Sequence, residues 1–199
     1  HAISDGYQRV LQHFESANVL GVTATPDRGD KQNLGKFFDS LAYEYSIVDA
    51  IKSGYLSKIT AVTIPLTLDL SSVSQQAGDF KASEVGTALD PYLEQIADEM
   101  VKQCSDRKTV VFLPLVKTSK KFRDILNKKG FKAAEVNGES EDRAEILADF
   151  DEGKYNVLCN SMLLTEGWDC PTVDCVVVLR PTKVRALYSQ MVGRGTRLA

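Results

Sequence analysis

The sequence has no loop that would cradle a triphosphate. The pattern G-x-x-x-x-G-K-[ST] occurs nowhere in its 199 residues. Gly35-Lys36 and Gly153-Lys154 supply the glycine–lysine step, but neither has the partner glycine or the following hydroxyl. No acidic pair stands at the end of an apolar run where it would hold Mg²⁺, which excludes a self-sufficient phosphate-transfer centre of that kind. No apolar run approaches ~18 residues, so no helical membrane span is expected. The first residues, "HAISDGYQRV", have no basic end followed by an apolar stretch and do not resemble a secretory leader. They do not begin with Met, and a piece cut from a longer protein is expected.

Metal-ligating residues are also scarce. There are four cysteines (Cys104, Cys159, Cys170 and Cys175), no C-x-x-C pair and only two histidines, a poor basis for a zinc site. Reduced thiols in a cytoplasmic compartment fit this usage. Positive charge is not in excess: the formal net charge is −3, so any polyanion site must be a local patch. The 43 % hydrophobic and 26 % charged content is that of a globular protein.

What the sequence does have is a regular alternation over residues 90–199. Asp90, Pro91 and the stripe Leu93, Ile96, Ala97, Met100, Val101, Cys104 predict a helix over 90–104 with Asp90 as its cap. "TVVFL" (109–113) predicts a buried strand. A helix follows over 117–129, with Phe122, Ile125 and Leu126 inward and Gly130 at its end. A weaker strand (132–136) precedes a helix opened by Ser140, Glu141 and Asp142, with Ala144, Leu147 and Phe150 buried. Strands at 155–159 and 173–179 and a helix at 183–192 complete the series. Such repetition predicts an α/β fold, a parallel sheet with helices on both faces. Ligands of such sheets bind at the carboxyl ends of strands, here after residues 113, 159 and 179.

The first part reads differently. A helix over about 5–17 leads to a strand, "NVLGVTATP" (18–26), then a short strand, a helix and a long extended segment within 42–70. Residues 1–67 are too few strands for a sheet and are expected to be the trailing part of a first domain. Residues 71–87 are polar and poorly patterned, so 68–89 is expected as a linker and 90–199 as a second domain.

Three stretches carry candidate chemistry. "QMVGRGTR" (190–197) holds Arg194 and Arg197, permanently charged forks suited to phosphate oxygens, beside glycines that allow close backbone approach. A glycine-ended helix with two solvated arginines is the plain alternative. "NSMLLTEGWDCPTVD" (160–174) offers the hydroxyls of Ser161 and Thr165, a tight turn at Gly167, and Asp169 as an acceptor for a sugar hydroxyl. It reads equally as a loop plugged into the core by Trp168 and Leu164. Residues 117–132 carry seven basic residues against Asp124, and 139–152 carry seven acids against Arg143. A helix start with Lys117 and Thr118 can hold a phosphate, although a charge run is more often a solvated face.

Taken in order, these stretches resemble the superfamily 2 DEAD/DEAH-box helicases and translocases, closest to the branch of type I and III restriction translocases. "TATP" (23–26) looks like motif III, "VVFLPLVKTS" (110–119) like motif IV, "NSMLLTEGWDCPTVD" like motif V, and "QMVGRGTR" matches motif VI as Q-x-x-G-R-G-x-R. The resemblance implies two RecA-like domains with ATP between them. It implies that Arg194 and Arg197 reach the γ-phosphate, with Gln190 coupling the cleft. Gly167, Asp169 and Gly193 would line the nucleotide. Ser161, Thr165, Lys117 and Thr118 would face nucleic-acid phosphates, and Thr23 and Thr25 would link nucleotide state to domain closure. "HA" at the start looks like the end of motif II, so the catalytic acids and the phosphate-binding lysine would lie upstream of His1. ATP and Mg²⁺ are then the cofactors of a longer parent enzyme, and this piece alone is expected to bind neither firmly and to be inactive. Its expected partners are nucleic acid, DNA before RNA, and the ATPase half of its own protein, with no membrane. Two other classes remain open on sequence: a non-catalytic module that docks nucleic acid or a partner, and a Rossmann-like enzyme for another nucleotide.

Overall fold

The structure is a computed structural model that describes residues 4–14, 16–24, 38–165 and 167–198. Two short helices come first, α1 (Asp5–His13) and α2 (Ile47–Lys52). A small hairpin pairs β1 (Gln75–Gln76) antiparallel with β2 (Asp79–Phe80). Helix α3 (Ala82–Leu89) runs through a helical turn at 90–92 into α4 (Leu93–Cys104). The rest alternates: β3 (Thr109–Phe112), α5 (Val116–Lys128), β4 (Ala133–Val136), α6 (Arg143–Asp151), β5 (Val157–Asn160), β6 (Cys175–Val178) and α7 (Arg185–Val192).

Strands β3 to β6 form one parallel sheet in the order β4-β5-β3-β6. Successive side chains of a strand point to opposite faces. Val111, Val157 and Cys159 therefore join Leu93, Ile96, Met100, Phe122 and Leu126 from α4 and α5 on one side. Val110, Phe112, Val136 and Leu158 meet Phe150 of α6 and Met191 of α7 on the other. Both faces are covered, as the near-continuous apolar strands predicted. Strand order places the ends of β5, β3 and β6 side by side at the carboxyl edge.

Several local expectations are corrected. Residues 18–24 form no strand, and Leu20 and Val22 are exposed: nothing described pairs with them, and a strand needs a ladder partner. The short strand expected near residue 42 is likewise absent among the described residues. The polar stretch 71–87 is not featureless. It holds the hairpin, turned at Ala77 (φ 51°) and Gly78 (φ 82°), and most of α3, which buries Val85, Gly86 and Leu89. Asp90 does not cap α4, because the backbone is already helical there, and its carboxylate binds Lys121 Nζ at 2.6 Å. Helix α6 begins at Arg143, after Ser140 Oγ has accepted the Asn137 amide at 3.1 Å. Ala144 is exposed, while Ile146 and Leu147 are half-buried beside Phe150.

The extended segment 57–70 has the period of a strand but no partner strand among the described residues. Ile64, Leu66 and Leu68 pack on the α4–α5 side of the core. Its backbone is held from α4's end, by Tyr92 Oη donating to the Thr67 carbonyl (3.0 Å) and Gln95 Nε2 to that of Pro65 (3.2 Å). It thus straps the first part of the chain to the sheet domain.

Candidate functional site

The structure brings "TEGWD" and "QMVGRGTR" together at the carboxyl edge. After β5 the chain makes a helical turn over Leu163–Thr165, where Leu164 is buried and Thr165 Oγ1 donates to the Met162 carbonyl at 2.6 Å. Asn160, fully buried, ties this turn down: its Oδ1 accepts the Leu164 amide (3.2 Å) and its Nδ2 donates to the Val111 carbonyl (3.0 Å). Gly167 has φ +70°, a left-handed conformation that a side chain would strain. Trp168 then packs on Phe150, with ring centroids 6.1 Å apart. Trp168 and Leu164 therefore do anchor the loop, while Gly167 and Asp169 remain outside.

Helix α7 delivers the arginines to this loop. Met191 is its buried anchor. Beyond Val192 a tight turn, Gly193–Gly195, lies against β6: a Cβ on Gly195 would meet Val176 Cγ2 at 2.8 Å. Gly193 has open space around it, so only the second glycine is demanded by packing. The Thr196 side chain closes the turn by donating to the Gly193 carbonyl at 3.0 Å.

The two arginines are placed differently. Arg194 is half-buried and donates to backbone carbonyls, from Nη2 to Thr165 (2.7 Å) and from Nη1 to Trp168. It braces the turn that holds Gly167. Arg197 Nη1 pairs with Asp169 Oδ1 at 2.6 Å, with 40 % and 55 % of the two side chains exposed. An exposed pair of this kind is worth about 0–1 kcal/mol, so either partner is readily exchanged for a stronger one. Gln190 is half-buried on α7 and makes contacts of its own.

The expected nucleic-acid residues divide. Ser161 is half-exposed directly after β5, and Lys117 is exposed in the first turn of α5, on the adjacent loop. Thr118 points the other way: it is buried against α3, where a Cβ on Gly86 would lie 3.2 Å from its Oγ1. Thr165 is buried in the loop braced by Arg194. Part of the basic run is neutralised by neighbours. Lys121 binds Asp90, Lys129 binds Asp98 (2.7 Å) and Glu94 (3.1 Å), and Arg123 binds Asp124 (2.8 Å). Lys117 and Lys120 make no ion pair among the described residues. Thr23 is exposed in an irregular segment, and Thr25 lies outside the described residues.

One group was not visible from sequence. The Asp79 carboxylate of the hairpin accepts Thr182 Oγ1 (2.8 Å) and the Lys183 amide (2.8 Å), and stands 3.8 Å from Arg180 Nη2. Burial lowers the Arg180 pKa, and Asp79 opposes that shift. The alternation 64-66-68 and the Ala-Gly turn were the available signals for this strap and hairpin. Below the sheet's other end, the Cys104 thiol lies against Cys175 at the start of β6. The interaction of the two thiols, with Thr109 beside them, lowers the Cys175 pKa below that of an ordinary thiol and raises that of Cys104.

Comparison with known proteins fits this geometry. The family described as helicase conserved C-terminal domain matches residues 92–199. IRC3 of Saccharomyces cerevisiae, named as an ATP-dependent helicase, is 28 % identical over all of this chain and 31 % of that protein. The Schizosaccharomyces pombe irc3, named as a mitochondrial ATP-dependent helicase, is 33 % identical over all of this chain and 34 % of its own length. The chain thus spans about a third of these relatives. A fragment structure of an HsdR subunit of a type I restriction enzyme from Vibrio vulnificus YJ016 superposes with a TM-score of 0.76. It is 28 % identical over 99 % of this chain and 40 % of that one. The chain belongs to the helicase conserved C-terminal domain family, within the superfamily 2 helicases.

Proposed function

We propose that this chain is part of an ATP-dependent translocase or helicase acting on DNA, and that Arg197 is its phosphate-facing arginine. The observation that carries this is the split between the two arginines. Arg194 spends its guanidinium on the Thr165 and Trp168 carbonyls, fixing the loop. Arg197 sits beside that loop on a weak, exposed pair with Asp169. A γ-phosphate is a stronger partner than one carboxylate, because its several oxygens meet the guanidinium fork. Once Arg197 transfers to phosphate, Asp169 is freed to accept a ribose hydroxyl. In the transition state Arg197 would offset charge on the transferring phosphoryl group, an effect of about 10³–10⁵ in rate where such arginines operate. Gln190 and Gly193, on the helix that ends at these residues, would move with it.

The first part of the chain supports a larger protein around this site. Among the described residues, fourteen of eighteen exposed large hydrophobic side chains lie between Tyr7 and Val62. Such a density of exposed apolar groups fits a surface that the rest of a first RecA-like domain would cover. No group of three or more His, Cys, Asp or Glu among the described residues is placed to hold a metal, so no role of this chain toward Mg²⁺ is assigned. Ser161 and Lys117, on adjacent loops, are the proposed phosphate contacts for the DNA strand. The restriction-enzyme relatives favour DNA over RNA.

The test is ATP turnover by the whole protein with DNA, RNA or no nucleic acid. Turnover raised by DNA and weakly by RNA supports the proposal. DNA binding with no turnover under any condition would leave a docking module instead.

A further inference from the structure

The segment that joins the two parts of the chain is tied to α7 at both of its ends. At the start, Asp79 accepts the Thr182 hydroxyl and the Lys183 amide, each at 2.8 Å. Thr182 Oγ1 in turn accepts the Val184 amide (3.0 Å), so the turn leading into α7 hangs from one carboxylate. That carboxylate is 14 % exposed and faces the Arg180 guanidinium, itself 15 % exposed. Lys183 Nζ also lies over the Phe80 ring of the hairpin, 4.9 Å from its centroid. At the far end, Ser57 donates twice into the arginine turn. Its amide binds the Thr196 carbonyl (2.8 Å) and its Oγ the Arg197 carbonyl (3.0 Å).

Between these ties the chain has little slack. Residues 64–68 are pinned to the core and α4, and the hairpin is pinned to α3 by Glu84, which accepts Ser74 N (2.7 Å) and Oγ (2.9 Å). Helix α7 has eight residues, about 12 Å of rise, and is fixed to the sheet chiefly at Met191. With Met191 buried at its second-last residue and Leu187 half-buried nearer its start, this short helix carries the turns before and after it as one piece, so a displaced tether at one end is passed to the other.

We infer that the 57–84 segment sets the position of Arg197, with Asp79 and Ser57 as its positioning residues. This rests on the reading of Arg197 as the phosphate-facing arginine. It goes further in naming what would report the state of the first part of the chain to that arginine. Neither residue is catalytic, since each acts through the backbone of 182–183 or 196–197. When Ser57 shifts with the residues before it, the Arg197 carbonyl is pulled with it. Asp79 is the pivot that keeps the other end of α7 fixed during that pull.

Two measurements on the whole protein test this. The first is amide hydrogen exchange of Asp79→Ala and Asp79→Asn. In Asp79→Ala the Lys183 amide must lose protection. The inference further requires the Ser57 amide, at the other end of α7, to exchange about tenfold faster, with β3 and β5 unchanged. A change confined to 180–184 overturns it. The second is DNA-stimulated ATP turnover. Asp79→Ala is expected to lower kcat about 10- to 100-fold at nearly constant KM for ATP, as a displaced group does. Asp79→Asn, which keeps an acceptor for the Lys183 amide, should recover part of the loss. Normal kcat in Asp79→Ala, in a protein whose wild type is DNA-stimulated, removes the positioning role and leaves the proposed function standing. Wild type without any stimulation refutes the function, and the exchange result then decides the positioning role alone.

Discussion

Replacing Gly195 by Ala should damage the arginine turn in a way that a second substitution repairs. A Cβ at 195 would stand 2.8 Å from Val176 Cγ2, well inside van der Waals contact. Valine is stiff at χ1 and cannot swing its methyl aside, so the turn must lift off β6. Overpacking of this kind costs about 1–3 kcal/mol. With a urea slope of about 2 kcal/mol/M, a 2 kcal/mol loss moves the unfolding midpoint by roughly 1 M. Val176→Ala alone removes two half-buried methyls and should cost about 1 kcal/mol. In the double variant the clash is gone, so its loss should be near that of Val176→Ala alone, about 2 kcal/mol short of additive. Gly193→Ala is the control. Nothing lies within 4 Å of its Cβ position and its φ is −59°, so it should be neutral or stabilise by about 0.4–1 kcal/mol. The assay is urea unfolding of the four variants and the wild type. Additivity within about 0.5 kcal/mol, or equal losses at 193 and 195, would refute the packing argument.

Other outcomes are expected at separate sites. Lys117→Ala should weaken DNA binding and reduce the salt slope by about 0.9, the loss of one phosphate contact; an unchanged slope returns Lys117 to a solvated face. Cys175 should be the first thiol alkylated by iodoacetamide, with the midpoint of its rate against pH below that of an ordinary thiol, and Cys104→Ala should move that midpoint upward. Cys159, fully buried, should react only on unfolding. Glu84 has a pKa lowered to about 2, first by Lys81 and then by Ser74, so its contribution to the hairpin is present above about 4.5 and fades as pH falls toward 2. Glu84→Gln should loosen the hairpin at pH 7, with faster exchange of the Ser74 amide, and differ little from wild type near pH 2.

The parallel sheet was legible because β3, β4 and β5 are buried throughout and the edge strand β6 is half-buried, and unbroken apolar runs such as "TVVF" and "CVVV" follow from that. The loop partners of the site were legible as residue types but not as geometry. Nothing in "QMVGRGTR" distinguishes Arg194 from Arg197. The difference arises because one guanidinium meets the carbonyls of Thr165 and Trp168, 29 and 26 positions earlier in the chain, while the other meets Asp169. Thr118 was misplaced for a related reason: a helix start facing the sheet's edge still has one side against α3. The stretch 71–87 misled because its polar residues do the fixing, Ser74 bonding Glu84 within it and Asp79 accepting from Thr182 beyond it, where apolar periodicity has no voice. Residues 18–24 misled in the opposite sense. Their apolar pattern is strand-like, but no described segment pairs with them.

The most direct test compares Arg197→Ala and Arg194→Ala in the whole protein, reading DNA-stimulated ATP turnover, ATP affinity and thermal unfolding together. Arg197→Ala is expected to lower turnover by about 10³-fold or more with ATP affinity and Tm nearly unchanged, as loss of a transition-state contact does. Arg194→Ala, which leaves the Thr165 and Trp168 carbonyls without their donor, is expected to lower Tm as well as turnover. Wild-type turnover in Arg197→Ala would contradict the assignment of that arginine to phosphate.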